Sequence, residues 1–345
     1  MFSTFIYAFE AVMPLVLLIF LGYFLRRIGF FSENFLTIGY RFSFRIALPC
    51  MLFCNVYSIE SLSAIDFRTV VYAVVAVCVL FVVGLLAALL FVPDRRQRGV
   101  VTQCFFRSNS AIVGVSLTQA LGGVSALQCV AVITAFTIPL FNILAVVALS
   151  VFVESERGLE KKRGLGAIRW GKIGLNILKN PLIIGIGLGF LCLAVRALLP
   201  VNEAGEAVFM LSKQGKVLFS LVEGLAQIAS PFMLLMLGGQ FTFSAVKGMK
   251  KQIVLGTIGR ILLAPVFAIG VGYLLSSAGV LRLGTAEYAS FIALFASPVA
   301  VSSAIMAREM GNDDVLAGQL VVWTSIGSVF TLFLFAVVFR TVGLL

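Results

Sequence analysis

The sequence predicts an all-α polytopic membrane protein: ten transmembrane helices as two inverted five-helix repeats, with broken, crossing helices 4 and 9. Three observations lead there. The 345 residues are 61% hydrophobic and only 12% charged, with a mean hydropathy of +1.09, and the apolar runs recur at the ~20-residue length that crosses a bilayer. Short motifs of the first half return in the same order in the second. Two of the spans carry polar or proline breaks near their middles. A membrane β-barrel would instead alternate apolar and polar residues in segments of about ten.

The spans fall at roughly 5–26, 35–56, 68–92, 98–120, 124–153, 180–199, 215–242, 252–277, 286–308 and 313–340. Their orientation follows from the basic residues. Odd-numbered loops hold 17 of the 26 Lys and Arg, even loops and tails hold 6, and Arg45, Arg107 and Arg260 fall inside spans. Lys and Arg collect on the cytoplasmic side, so the odd loops are cytoplasmic and both termini lie outside. That clustering also accounts for the net charge of +11 without a nucleic-acid partner. The expected surroundings are a lipid bilayer.

Histidine is absent, which excludes imidazole chemistry and His-ligated metal sites. Cys50, Cys54, Cys78, Cys104, Cys129 and Cys192 are scattered through apolar segments and read as small hydrophobes, without disulfide or metal spacing. No nucleophile is paired with a base, so no enzyme is expected and no cofactor either. The first apolar run follows Glu10 and has no basic residue before it. It lacks the n-region of a signal peptide and is expected to be retained.

A basic linker, 154–179, separates a first five-helix repeat, 1–153, from a second, 180–345. Pro14-Leu15 reaches Gly22 after eight residues, and Pro181-Leu182 reaches Gly189 after eight. Ile46-Ala47-Leu48-Pro49-Cys50-Met51-Leu52 agrees with Ile228-Ala229-Ser230-Pro231-Phe232-Met233-Leu234 at five of seven positions. At a constant offset of 189, Ser108 aligns with Ser297 and Gly122 with Gly311. An odd number of spans per half inverts the second half relative to the first, and inverted repeats with interrupted helices are the signature of secondary transporters.

The breaks lie deep. Arg107 is nine residues past Arg98, or about 14 Å at 1.5 Å per residue, close to the middle of a ~30 Å core. Ser297-Pro298 lies ten residues past Glu287 and reaches the same depth. Ser297 suits an N-cap and Pro298 a first helical position, while Asn109 or Ser110 caps the second half of span 4. Two helix N-termini then face one spot, at Ser110 and Val299, each with free N–H groups and partial positive charge. Arg107 adds a planar fork that fits a carboxylate. The expected ligand is a small organic anion, held by Arg107, Ser108, Asn109, Ser110, Ser297, Pro298, Val299, Ser302 and Ser303.

Gly114, Ser302 and Ser303 would allow close backbone approach, and Pro49 and Pro231 would shape the facing helices. Plainer readings stand beside these: Ser-Pro as a simple kink, Arg107 as the structural partner of an acid such as Glu223, Arg45 and Arg260 as snorkelling or packing residues, and Gly185 with Gly189 as ordinary helix packing. Coupling to H+ would need a carboxylate, for which Glu10, Glu223 and Glu287 are the candidates. Coupling to Na+ would need an oxygen cage, for which Gln103, Asn109, Ser302 and Ser303 are available.

Several short motifs resemble the auxin efflux carrier family, the bacterial carriers related to plant auxin exporters. They are Gly22-Tyr23-Phe24-Leu25-Arg26-Arg27, Leu48-Pro49, Asn109 in an Asn-Ser-Ala-Ile-Val-Gly stretch, and Pro231 followed by Leu237-Gly238-Gly239-Gln240. Ser297-Pro298-Val299-Ala300 and Ala307-Arg308-Glu309-Met310-Gly311 complete the set. The resemblance spans essentially the whole chain. It implies a scaffold of spans 1, 2, 6 and 7, a mobile core of spans 3–5 and 8–10, and elevator-like alternating access in a bacterial inner membrane. It implies substrates such as auxin-like acids, malate or malonate, with a sodium-coupled symporter of the bile-acid-transporter type as the alternative, and it leaves a homodimer open. Family members usually carry a proline in the fourth-span crossover; here a Ser-Asn-Ser run takes its place.

Overall fold

A computed structural model describes residues 2–58, 67–110, 115–157, 178–199 and 210–345. Gly114 and nearly all of the basic linker lie outside the described residues. Within them the chain is helical, with no strand and one isolated antiparallel bridge. Among the described residues, five helical stretches are long and apolar enough to cross a membrane: Phe67–Phe91, Leu121–Phe152, Lys216–Gln240, Val246–Ser277 and Asp314–Thr341.

The first half contains α1 (Phe2–Arg27), α2 (Glu33–Phe42), α3 (Leu48–Tyr57), α4 (Phe67–Phe91), α5 (Arg95–Phe106) and α6 (Val115–Arg157). A π-turn, Ser43–Ala47, joins α2 to α3 without a break in the helical path, and Pro49 follows directly after it. The second half contains α7 (Pro181–Leu198), the short α8 (Leu211–Gln214), α9 (Lys216–Gln240), α10 (Val246–Ile258), α11 (Ala264–Ser277), α12 (Thr285–Phe295), α13 (Ser302–Glu309) and α14 (Asp314–Thr341). A second π-turn, Gly259–Leu263, joins α10 to α11. Pro231 lies inside α9 without ending it.

The repeated motifs do the same work twice. α1 packs on α9, and α7 packs on α3. A Cβ on Gly22 would strike the Leu235 backbone of α9, and one on Gly238 would strike the Ile19 carbonyl of α1. On the other pair, a Cβ on Gly185 would lie 2.5 Å from the Pro49 carbonyl and one on Gly189 would lie 2.8 Å from Val56. Gly185 and Gly189 are thus helix-packing glycines, which let backbones approach where lipid supplies no hydrophobic drive between helices.

The helix breaks fall where the polar run and the Ser-Pro pair stand. α5 stops at Phe106, and Arg107 is extended (φ −82°, ψ 112°). α12 stops at Phe295, and α13 begins only at Ser302. Gly311 takes a left-handed φ of 75° after α13 and leaves the Asn312 N–H to bond the Ala307 carbonyl at 2.8 Å, a Schellman-type stop. In the first half the corresponding left-handed glycine is Gly123 (φ 67°), which interrupts α6 one residue beyond the Gly122 that aligns with Gly311.

A polar brace ties α2, α9, α13 and α14. Arg308 stacks over the Tyr40 ring at 4.6 Å and lies 3.9 Å from Asp314, to which Gln240 donates at 2.7 Å.

Candidate functional site

The two breaks meet. Ser108 and Val299 form the antiparallel bridge, and the Asn109 N–H donates to the Pro298 carbonyl at 2.9 Å. The offset of 189 that aligns Ser108 with Ser297 also carries Asn109 onto Pro298, so equivalent positions of the two halves lie against each other. Proline has no N–H to return the bond. The bond between these two positions is therefore one-way, and it requires a residue other than proline at position 109.

Beside this contact lies a small cavity of about 50 Å³. Arg107, Ser108 and Asn109 line it from the first break, and Ala300, Val301 and Ser302 line it from the second. Asn142 and Phe141 come from α6, Met51 and Asn55 from α3, and Ser230 and Met233 from α9. Met51 and Met233 are equivalent positions of the repeated seven-residue motif, so each half contributes the same residue to the wall.

Arg107 is 2% exposed. Its guanidinium donates to Ser302 Oγ at 2.7 Å, Asn142 Oδ1 at 2.8 Å and Gln103 Oε1 at 3.4 Å, and lies 2.6 Å from Met306 Sδ. All four partners are neutral. Glu223, the acid considered as its partner, is exposed on α9 and does not line the cavity. A buried guanidinium with only neutral partners is electrostatically incomplete. Further unmet polar atoms surround it: Ser108 Oγ, Asn109 Nδ2, Ser110 Oγ and Ser303 Oγ are buried without a hydrogen-bond partner.

Two expected capping roles are corrected. Ser297 does not begin a helix; its hydroxyl donates back to the Ala293 carbonyl at 2.5 Å and closes α12, the i−4 bond that serine makes readily inside apolar helices. The Val299 N–H is not free for a ligand, because it donates to Thr324 Oγ1 of α14 at 3.2 Å. The second half-helix starts three residues later, so Ser302 reaches the cavity while Ser297, Pro298 and Val299 stand behind it. Ser110 and Ser303 are buried near the crossing but do not line the cavity. Gln103 is engaged with Arg107 and also donates to the Ser303 carbonyl at 3.2 Å.

Arg260 was expected to snorkel or pack. It is 0% exposed and donates to the carbonyls of Ser297 at 2.8 Å, Leu294 at 2.9 Å and Phe105 at 3.3 Å. Helix C-termini leave such carbonyls unbonded and carry partial negative charge. One guanidinium thus caps the ends of both α5 and α12. Asn55 and Asn142 were also missed, although an amide inside an apolar span is itself a signal of a polar site.

A family model described as a membrane transport protein matches the chain twice, over residues 7–166 and 167–336. Comparison with curated proteins gives no significant match. The two matches run in tandem over nearly the whole length, one to each half, and together they show that the chain belongs to the auxin efflux carrier family of membrane transport proteins.

Proposed function

We propose that the protein is a secondary carrier of small organic anions, with Arg107 as the residue that holds the carboxylate. The observation that carries this reading is the buried guanidinium with neutral partners at the cavity wall. A bound carboxylate supplies the missing charge in a bidentate pair. The unpartnered Asn109 Nδ2 is a further donor at the same wall. Gln103 Oε1 and Ser302 Oγ are both turned toward Arg107, and a sodium ion placed among them would sit against a positive charge. An anion is the better match.

The proposal includes ten spans in two inverted repeats, both termini outside a bacterial inner membrane. The core of spans 3–5 and 8–10 moves against the scaffold of spans 1, 2, 6 and 7. The cavity draws walls from both groups of helices, which is where a substrate must sit for relative motion to change its access. The Tyr40–Arg308–Asp314–Gln240 brace joins the same two groups, so that motion has to break it.

Purified protein screened by thermal shift against mono- and dicarboxylates is expected to gain stability with at least one of them, because a ligand selective for the folded state raises its melting temperature. Uptake of that acid into sodium-free proteoliposomes is expected to proceed. Strict dependence on sodium would favour the symporter alternative, and no response to any carboxylate would remove the anion reading.

A further inference from the structure

We propose that the groove between α4 and α10 is a binding site for one anionic phospholipid, apart from the transport cavity. The groove is open on one side, offers about 670 Å³, and is lined by Phe91 of α4, Lys250, Lys251, Val254 and Ile258 of α10, and Phe105 of α5 at its floor. Phe91, Val254 and Ile258 are exposed apolar residues, whereas Phe105 is buried. The groove therefore has a greasy wall and floor with two ammonium groups at one end. Among the described residues, neither lysine forms an ion pair.

The chemistry of the two ends points to a single kind of occupant. Lys250 and Lys251 lie near the start of the apolar stretch Val246–Ser277, and Phe91 ends the apolar stretch Phe67–Phe91, so the lysines stand at headgroup level. From Lys251 to Leu263, the last groove residue, is twelve positions. At 1.5 Å per residue that is about 18 Å, close to the thickness of one leaflet of a ~30 Å core. A phosphate at the lysines and an acyl chain along Val254 and Ile258 fill both parts. Basic pockets between membrane helices are a recognised setting for anionic headgroups.

The floor gives the site a consequence. A Cβ on Gly259 would collide with the Phe105 ring, so the glycine of the π-turn is what seats that ring. Phe105 lies two residues before Arg107, and its carbonyl is held by Arg260. An acyl chain on Phe105 therefore presses on the end of α5 next to the break.

Native mass spectrometry of the intact protein, with phosphatidylglycerol and phosphatidylcholine of identical chains, tests the proposal. The wild type is expected to retain one phosphatidylglycerol under activation that strips phosphatidylcholine. It is also expected to gain several-fold more thermal stabilisation from the anionic lipid. The double substitution Lys250→Gln/Lys251→Gln is expected to erase that preference while keeping the response to phosphatidylcholine. Val254→Trp, which fills the groove, should displace the retained lipid with the lysines intact. Equal retention of the two lipids by the wild type overturns the site, leaving the lysines as interface anchors. So does a preference that survives the double substitution. The wild-type comparison stands even where a variant fails to fold.

Discussion

Replacing Arg107 with methionine is expected to abolish anion uptake while leaving the protein at least as stable as before. The two halves of that expectation have one cause. A guanidinium with four neutral partners bears a desolvation cost that nothing within the described residues balances, and burying a neutral side chain of similar length removes that cost. Asn142, Ser302 and Gln103 lose a donor; the first two line the cavity, where water can replace it, and the bond to Gln103 is the longest of the three at 3.4 Å. The substrate loses its charged partner. Truncating one side of a buried, hydrogen-bonded charge pair typically costs about 2–5 kcal/mol, and about 3 kcal/mol is roughly a hundredfold in affinity. Uptake and the ligand-induced thermal shift should vanish together. Wild-type uptake in this variant would take Arg107 out of the site.

Arg260→Met is expected to behave in the opposite way, losing stability first and transport as a result. Arg260 is as buried as Arg107, but its partners are the carbonyls of Phe105, Leu294 and Ser297. These are backbone groups at two helix ends, and none of the three residues lines the cavity beside Arg107. Each buried group left unbonded costs about 1–3 kcal/mol, so the three together should cost roughly 3 kcal/mol or more. A marked fall in melting temperature, with loss of expression, is the expected readout. Arg260→Lys should recover part of it, because an ammonium keeps the charge but cannot span three carbonyls as a planar fork does. A methionine variant that melts with the wild type would show that the clamp contributes little.

The contrast between these two arginines explains how far the sequence could be read. The polar run at Arg107 and the Ser297-Pro298 pair marked the helix breaks, because polar groups inside an apolar span have few structural options and the chain does break there. Depth counting leaves Arg260 between snorkelling and packing, since position along a span says nothing about which way a side chain points; it packs. Its guanidinium turns inward because two helix ends need donors, and that need is invisible before the breaks are placed. Ser297 was given a cap's role by its proline neighbour, yet the chain stays extended after Pro298 and the helix resumes only at Ser302. Asn55, Asn142 and Ser230 reach the cavity from three different helices, and only tertiary packing brings them to Arg107. The repeated motifs were the most reliable guide: Met51 and Met233, equivalent in sequence, line one cavity, and Gly22 and Gly189 each seat a neighbouring helix.

The bond from Asn109 to Pro298 makes the crossing unequal, and the same offset sets Arg107 opposite Ala296, which has no charge to offer. Under the inverted-repeat reading, exchanging the conformations of the halves exchanges the two faces of the membrane. With matched halves those two end states would be degenerate, and neither direction would be preferred at rest. The halves differ here as at many other positions, so the two end states are inequivalent. On the carrier reading proposed above, inequivalent end states give one of them the larger resting population, and a carboxylate anchored to Arg107 stays with the first repeat.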